Sequence, residues 1–191
     1  MLQFFVKSNA TLWGENVMKK TGFFLALILI LIPVAAHASG PSVLFGVQSV
    51  SFGGDLGEYY DIPPGLGMGL IVGFDTAIPV DLRIGTLSET EENSNDDVTY
   101  QWIELGSKLI LGVRGKSIQP DWFFGVGSYT LEIGSEDFDP ALGGYMGVGI
   151  QETIGGKYMG RVEVKGVFWK SDTGQTDAPS LNVSFLFGYQ F

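Results

Sequence analysis

Leu181-Asn182-Val183-Ser184-Phe185-Leu186-Phe187-Gly188-Tyr189-Gln190-Phe191 closes the chain. In an extended conformation Leu181, Val183, Phe185, Phe187, Tyr189 and Phe191 fall on one side, and Asn182, Ser184, Leu186, Gly188 and Gln190 on the other. Strand termini fray and exposed apolar area invites association, so a soluble protein seldom lines its last strand with Phe185, Phe187, Tyr189 and Phe191. A bilayer accepts such a face. An apolar side, a small-and-polar side and about ten residues of tilted strand are what a membrane-crossing β-strand requires.

Working back from that stretch, the same period-two alternation recurs and no helical period competes with it after Ala38. Residues 43–52 set Val43, Phe45 and Val47 against Leu44, Gly46 and Gln48. Leu66, Met68, Leu70, Val72 and Phe74 alternate with Gly67, Gly69, Ile71, Gly73 and Asp75. Val80, Leu82 and Ile84 oppose Asp81, Arg83 and Gly85, and residues 99–111 place Ile103, Leu105 and Leu109 opposite Trp102, Glu104, Gly106 and Lys108. Residues 121–133 turn Trp122, Phe124 and Val126 one way and Phe123, Gly125, Gly127 and Tyr129 the other. Met146, Val148 and Ile150 alternate with Gly147, Gly149 and Gln151; after the tight turn Gly155-Gly156-Lys157, Val162, Val164 and Phe168 alternate with Arg161, Glu163 and Lys165. With the terminal stretch, the reading predicts eight strands.

Their connections alternate long and short. The long ones hold Asp55, Glu58, Asp61, Glu89, Glu91, Glu92, Asp96, Asp97, Glu136, Asp137, Asp139, Asp172 and Asp177, whereas the short ones hold Arg114, Lys116 and Lys157. Long outer loops, short periplasmic turns and an even strand number predict an all-β fold, an eight-stranded antiparallel up-and-down transmembrane β-barrel of the bacterial outer membrane. Trp122, Tyr158, Tyr189 and Phe191 are expected in its periplasmic aromatic girdle, and Phe52, Tyr59, Tyr60, Tyr100 and Trp169 in the outer one. Alternation by itself leaves the direction of the faces open. A soluble periplasmic lipocalin-like barrel has the same rhythm with its apolar face around a ligand. Apolar faces long enough to span, glycine on the opposite face and aromatics near strand ends favour the membrane.

Ahead of the strands, Met18-Lys19-Lys20, the apolar run from Phe23 to Ala36 and the small-x-small Ala36-His37-Ala38 have the layout of a secretory signal peptide over residues 18–38, cut after Ala38. The run is shorter than the roughly 20 residues of a spanning helix. Residues 1–17 then form an extended or non-native segment, and translation is expected to begin at Met18. Removing 38 of the 191 residues leaves 153, residues 39–191, which suits one barrel domain.

Composition narrows the chemistry. The mature part loses Lys7, Lys19, Lys20 and Glu15 from 11 basic and 21 acidic residues, leaving eight against twenty, a formal charge of −12 that disfavours nucleic acid. There is no cysteine, so neither a disulfide framework nor a thiolate site exists. The single histidine, His37, lies in the signal region, which removes the usual general base and zinc ligand from the mature chain. A non-enzymatic protein without cofactor or resident metal is expected.

The terminal aromatic stripe, the glycine-alternating Gly65-Leu66-Gly67-Met68-Gly69 and Gly143-Gly144-Tyr145-Met146-Gly147-Val148-Gly149, and the loop rhythm together make residues 39–191 resemble the small eight-stranded outer-membrane β-barrel proteins, the group of OmpA-like transmembrane domains, OmpX-like and OmpW-like proteins. The resemblance implies that Phe187, Tyr189 and Phe191 act as the signal read by the barrel assembly machinery. That signal is uninformative about activity: a structural or surface-interaction role is the first expectation, and a narrow channel for small or hydrophobic solutes, comparable to the OmpW-like proteins, the alternative.

If the polar faces point inward, Asp75, Asp81, Glu104 and Glu163 meet Arg83, Lys108, Arg161 and Lys165 in an interior that eight strands leave just wide enough for side chains. A salt-bridged plug is the simpler expectation, and a polar path between the charges the functional alternative. Outside, the acidic loops would lie against lipid and anionic lipopolysaccharide, where divalent cations relieve the repulsion.

Overall fold

In the computed structural model of the chain, residues 40–54, 64–74, 78–90, 96–111, 117–137, 140–170 and 177–191 are described. The expected signal peptide, the segment before it, Asp75, and most acidic loop residues lie outside the described residues. The strands are β1 (Ser42–Phe52), β2 (Gly65–Phe74), β3 (Val80–Thr90), β4 (Asp97–Ile110), β5 (Ile118–Ile133), β6 (Glu136–Asp137), β7 (Ala141–Ile154), β8 (Tyr158–Lys170) and β9 (Asp177–Gln190). β6 is a two-residue strand folded back on the end of β5. The other eight pair antiparallel in sequence order, and β9 pairs with β1 to close the wall.

Registers fix the shape of the barrel. Following Cα partners once around, Ser42 leads to Gly73, Asp81, Gly106, Gly125, Tyr145, Val167, Ser180 and back to Phe52, an offset of ten residues along β1. With a rise of about 3.3 Å and strands about 4.8 Å apart, that shear tilts eight strands by about 40° from the axis. The seam is sealed beyond the ladder at both ends, since Phe191 N–H donates to Pro41 O (3.0 Å) and Gly53 N–H to Pro179 O (2.8 Å).

Alternation in sequence becomes inside and outside in space. Phe45, Val47, Met68, Phe124, Val126, Met146, Val148, Phe185 and Phe187 are exposed around the outer wall, while Asp81, Arg83, Glu104, Asp121, Arg161, Glu163 and Lys165 are buried in the lumen. This direction of the faces rules out the lipocalin-like arrangement. A continuous apolar girdle on the outside is far larger than the patches a soluble monomer exposes. Lipid covers it in a spanning barrel.

Two glycine positions show how so narrow a lumen holds bulky residues. Gly85 on β3 faces Trp102 across the β3–β4 ladder, and a Cβ there would strike the indole ring. At the β7–β8 turn, Gly155 and Gly156 have φ of 62° and 78°, left-handed values that glycine adopts without steric cost.

Backbone pairing also runs past the apolar stripes. β3 continues through Ser88, Glu89 and Thr90, β4 starts at Asp97 and β9 at Asp177, all in segments the sequence assigned to loops. The hydrophobic pattern marks only the lipid-facing part of a strand; the ladder itself continues wherever hydroxyl-bearing and β-branched residues let it.

Candidate functional site: the barrel interior

The lumen is filled in layers. Toward the long connections lies an apolar layer centred on Tyr100, whose ring meets Phe52 edge-on (5.1 Å), lies against Trp102 (5.1 Å), and stacks with Tyr129 (6.3 Å) and Trp169 (6.4 Å). Phe52, Tyr100 and Trp169 are therefore interior residues and do not belong to the outer girdle expected for them. The correction follows from parity. Tyr100 shares its side of β4 with Trp102 and Glu104, and Trp169 shares its side of β8 with Val167 and Lys165. Tyr59 and Tyr60 lie outside the described residues. At the opposite end, Trp122, Tyr158 and Phe191 are exposed on the outer wall, with Tyr158 and Phe191 each packed edge-on against Tyr189 (5.6 and 5.1 Å).

Beneath the aromatic layer sits one isolated pair. Lys165 Nζ on β8 donates to both carboxylate oxygens of Glu104 on β4 (2.7 and 2.8 Å), and the Tyr129 hydroxyl donates to the same Glu104 Oε1 (3.1 Å). The ammonium lies 5.5 Å from the centre of the Trp102 ring and 5.4 Å from that of Tyr145.

Six more charges form a chain of alternating sign. Lys108 Nζ is 3.8 Å from Asp81 Oδ1; Arg83 Nη2 is 3.4 Å from Asp81 Oδ2, and Arg83 Nη1 is 2.8 Å from Glu163 Oε1. Arg161 Nε donates to Glu163 Oε2 (2.7 Å), and its two terminal nitrogens grip both oxygens of Asp121 (2.5 and 2.9 Å). Both guanidinium groups lie over the Phe123 ring, 4.2 Å from its centre for Arg83 and 5.2 Å for Arg161, a cation–π arrangement that helps hold both in place. Strands β3, β4, β5 and β8 contribute to this chain, so it ties opposite walls together.

Of the interior charges read from the sequence, the structure brings Asp81, Arg83, Glu104, Lys108, Arg161, Glu163 and Lys165 into the lumen, while Asp75 lies outside the described residues. Asp121 was missed. Its signal was available: it lies two residues before Phe123, on the inward side of β5, and it ends the chain of charges. With Asp121 included, four carboxylates face four cations, and the Arg83–Glu163, Arg161–Glu163 and Arg161–Asp121 contacts are charge-assisted hydrogen bonds of the strong kind. Among the described residues no group of three or more His, Cys, Asp or Glu is placed to hold a metal ion.

Below the charges, toward the short turns, the lumen opens into a cavity of about 400 Å³. No family model and no curated protein matches the sequence. Solved structures do match. Neisserial surface protein A is 12% identical, with a TM-score of 0.69 over 80% of this chain and 98% of its own. Outer membrane protein OprG from Pseudomonas aeruginosa is 13% identical with a TM-score of 0.56, over 83% and 99%. Ail, the attachment invasion locus protein of Yersinia pestis, is 15% identical with a TM-score of 0.53, over 81% and 100%. The chain has the fold of the small eight-stranded outer-membrane β-barrels.

Proposed function

We propose that this protein is an integral barrel of the bacterial outer membrane with a structural or surface-interaction role, and that its interior is a plug, not a pore. The observation that carries the reading is the chain Lys108, Asp81, Arg83, Glu163, Arg161, Asp121, which crosses the lumen without a break in partnership. Opening a path would separate buried ions from their partners, at several kcal/mol each. The aromatic layer around Tyr100 closes the lumen a second time. A narrow route for small or hydrophobic solutes has one observation in its favour, the cavity at the short-turn end, which stops at Lys108 and Asp121.

Phe187, Tyr189 and Phe191 are assigned to recognition by the barrel assembly machinery. Phe187 and Phe191 are exposed on the outer wall, next to Tyr189, on the strand that completes the barrel. The acidic long connections are assigned to contact with lipopolysaccharide through divalent cations, since oxygen ligands suit Ca²⁺ and Mg²⁺. Ail has also been solved with the heparin analogue sucrose octasulfate. A polyanion is a poor match for the acidic loops here, so a cation-bridged or basic partner suits this chain better.

Fractionation of expressing cells tests the placement. The mature chain is expected to sediment with the outer membrane and to migrate faster on gels before heating than after. Recovery in the soluble periplasm would overturn the reading.

A further inference from the structure

The cavity lies at the short-turn end of the lumen and is open to that side. Its floor is made by Lys108 and Asp121, and its walls by Ser42, Ser117, Gln119, Gln151, Thr153 and Gln190, with Ile110 as the apolar face. At about 400 Å³ it falls within the range of small-molecule sites, about 300–1,000 Å³. A space that merely completed a barrel would be expected to be filled by side chains.

The floor is electrically balanced. Both Asp121 oxygens are held by Arg161, and Lys108 is paired with Asp81. An anion entering here would meet the Asp121 carboxylate, and a cation the Lys108 ammonium, and each of these is already paired with an interior partner, so either ion would enter with its own charge poorly compensated. Carboxamides and hydroxyls, by contrast, both donate and accept hydrogen bonds. Three carboxamides and three hydroxyls around a neutral floor, beside Ile110, complement a ligand that carries both functions on every edge and an apolar face.

We infer that this chamber is a binding site, entered from the periplasmic side, for a small neutral polyhydroxylated solute of mono- or disaccharide size. Hydroxyls of the solute exchange hydrogen bonds with Thr153, Gln190 and the free Oε1 side of Gln151, whose Nε2 donates to Met159 Sδ (3.3 Å), and the C–H face of its ring lies on Ile110. The site needs no opening of the charge chain above it, so it stands whether or not the barrel conducts.

The test is an NMR titration of the refolded full-length mature barrel in detergent micelles, following the side-chain amide signals of Gln151 and Gln190. Sucrose is expected to shift them saturably, with a Kd of about 1 mM. Glucuronate and glucosamine are expected to bind about tenfold more weakly. Thr153→Val and Gln190→Leu, both at the mouth and outside the ion pairs, are expected to weaken sucrose about tenfold while leaving the melting temperature unchanged. Absence of a saturable shift with sucrose, equal affinity in both variants, or tighter binding of glucuronate or glucosamine would each overturn the assignment.

Discussion

Lys165 on β8 and Glu104 on β4 meet across the lumen with the ammonium within 2.8 Å of both carboxylate oxygens, and neither side chain exceeds 2% exposure. The two residues are 61 positions apart in sequence and are joined only by barrel closure. Their pairing links the fold to the proposed plug, because neither charge is tolerable at that depth without the other.

Lys165→Met is therefore expected to destabilise the barrel by about 3–5 kcal/mol, since it leaves Glu104 buried without a counter-charge. Adding Glu104→Gln should recover most of the loss. Urea unfolding of the refolded variants, followed by tryptophan fluorescence, measures both. A single variant as stable as the parent would show that Glu104 is relieved in another way.

Gly85 provides a second test. A Cβ at this position runs into the Trp102 ring, so Gly85→Val should cost about 1–3 kcal/mol through overpacking, with displacement of the indole. Gly160→Ala has no atom within 4 Å of the added carbon and should be close to neutral. Unfolding midpoints and the Trp near-ultraviolet signal separate the two.

The outer face is tested by moving one charge along β5. Val126 is 61% exposed within the apolar girdle, so Val126→Arg should cost about 2–4 kcal/mol near the bilayer midplane. Thr130, four residues nearer the long-connection end, should accept arginine at about 0–1 kcal/mol. Refolding equilibria in lipid vesicles give the comparison. Equal costs at both positions would contradict the placement of the girdle.

The acidic connections predict a dependence on divalent cations. Removing Ca²⁺ and Mg²⁺ with a chelator should lower the thermal stability of the barrel in vesicles that contain lipopolysaccharide, and leave it unchanged in phospholipid alone. A melting temperature that the chelator leaves unchanged in the lipopolysaccharide vesicles would remove the cation bridge from the account.

The alternation in the sequence carries the faces of this barrel, and aromatic character misleads where it is set against that alternation. Leu181 to Phe191 shows parity directly, because period two needs only the pleat, and the same rule sets Arg83, Glu104 and Lys165 on the inward side. For Phe52, Tyr100 and Trp169 parity and aromatic character point in opposite directions: aromatic character suggests the interface, whereas each shares a face with lumen residues, and the structure follows parity. Partnerships depend on the shear, which arises only when the wall closes. Arg83 meets Glu163 from another side of the barrel, and Arg161 takes up Asp121, which the strand reading passed over. The paired β6 and the extended upper ends of β3, β4 and β9 carry polar residues, so no apolar stripe marks them.

Planar-bilayer recording on the refolded mature barrel tests the central claim most directly. An interior closed by the Lys108-to-Asp121 charge chain and by the Tyr100 layer predicts a quiet membrane, without steady ohmic openings in symmetric salt. Steady openings from the unmodified protein would contradict it and establish a path through the lumen.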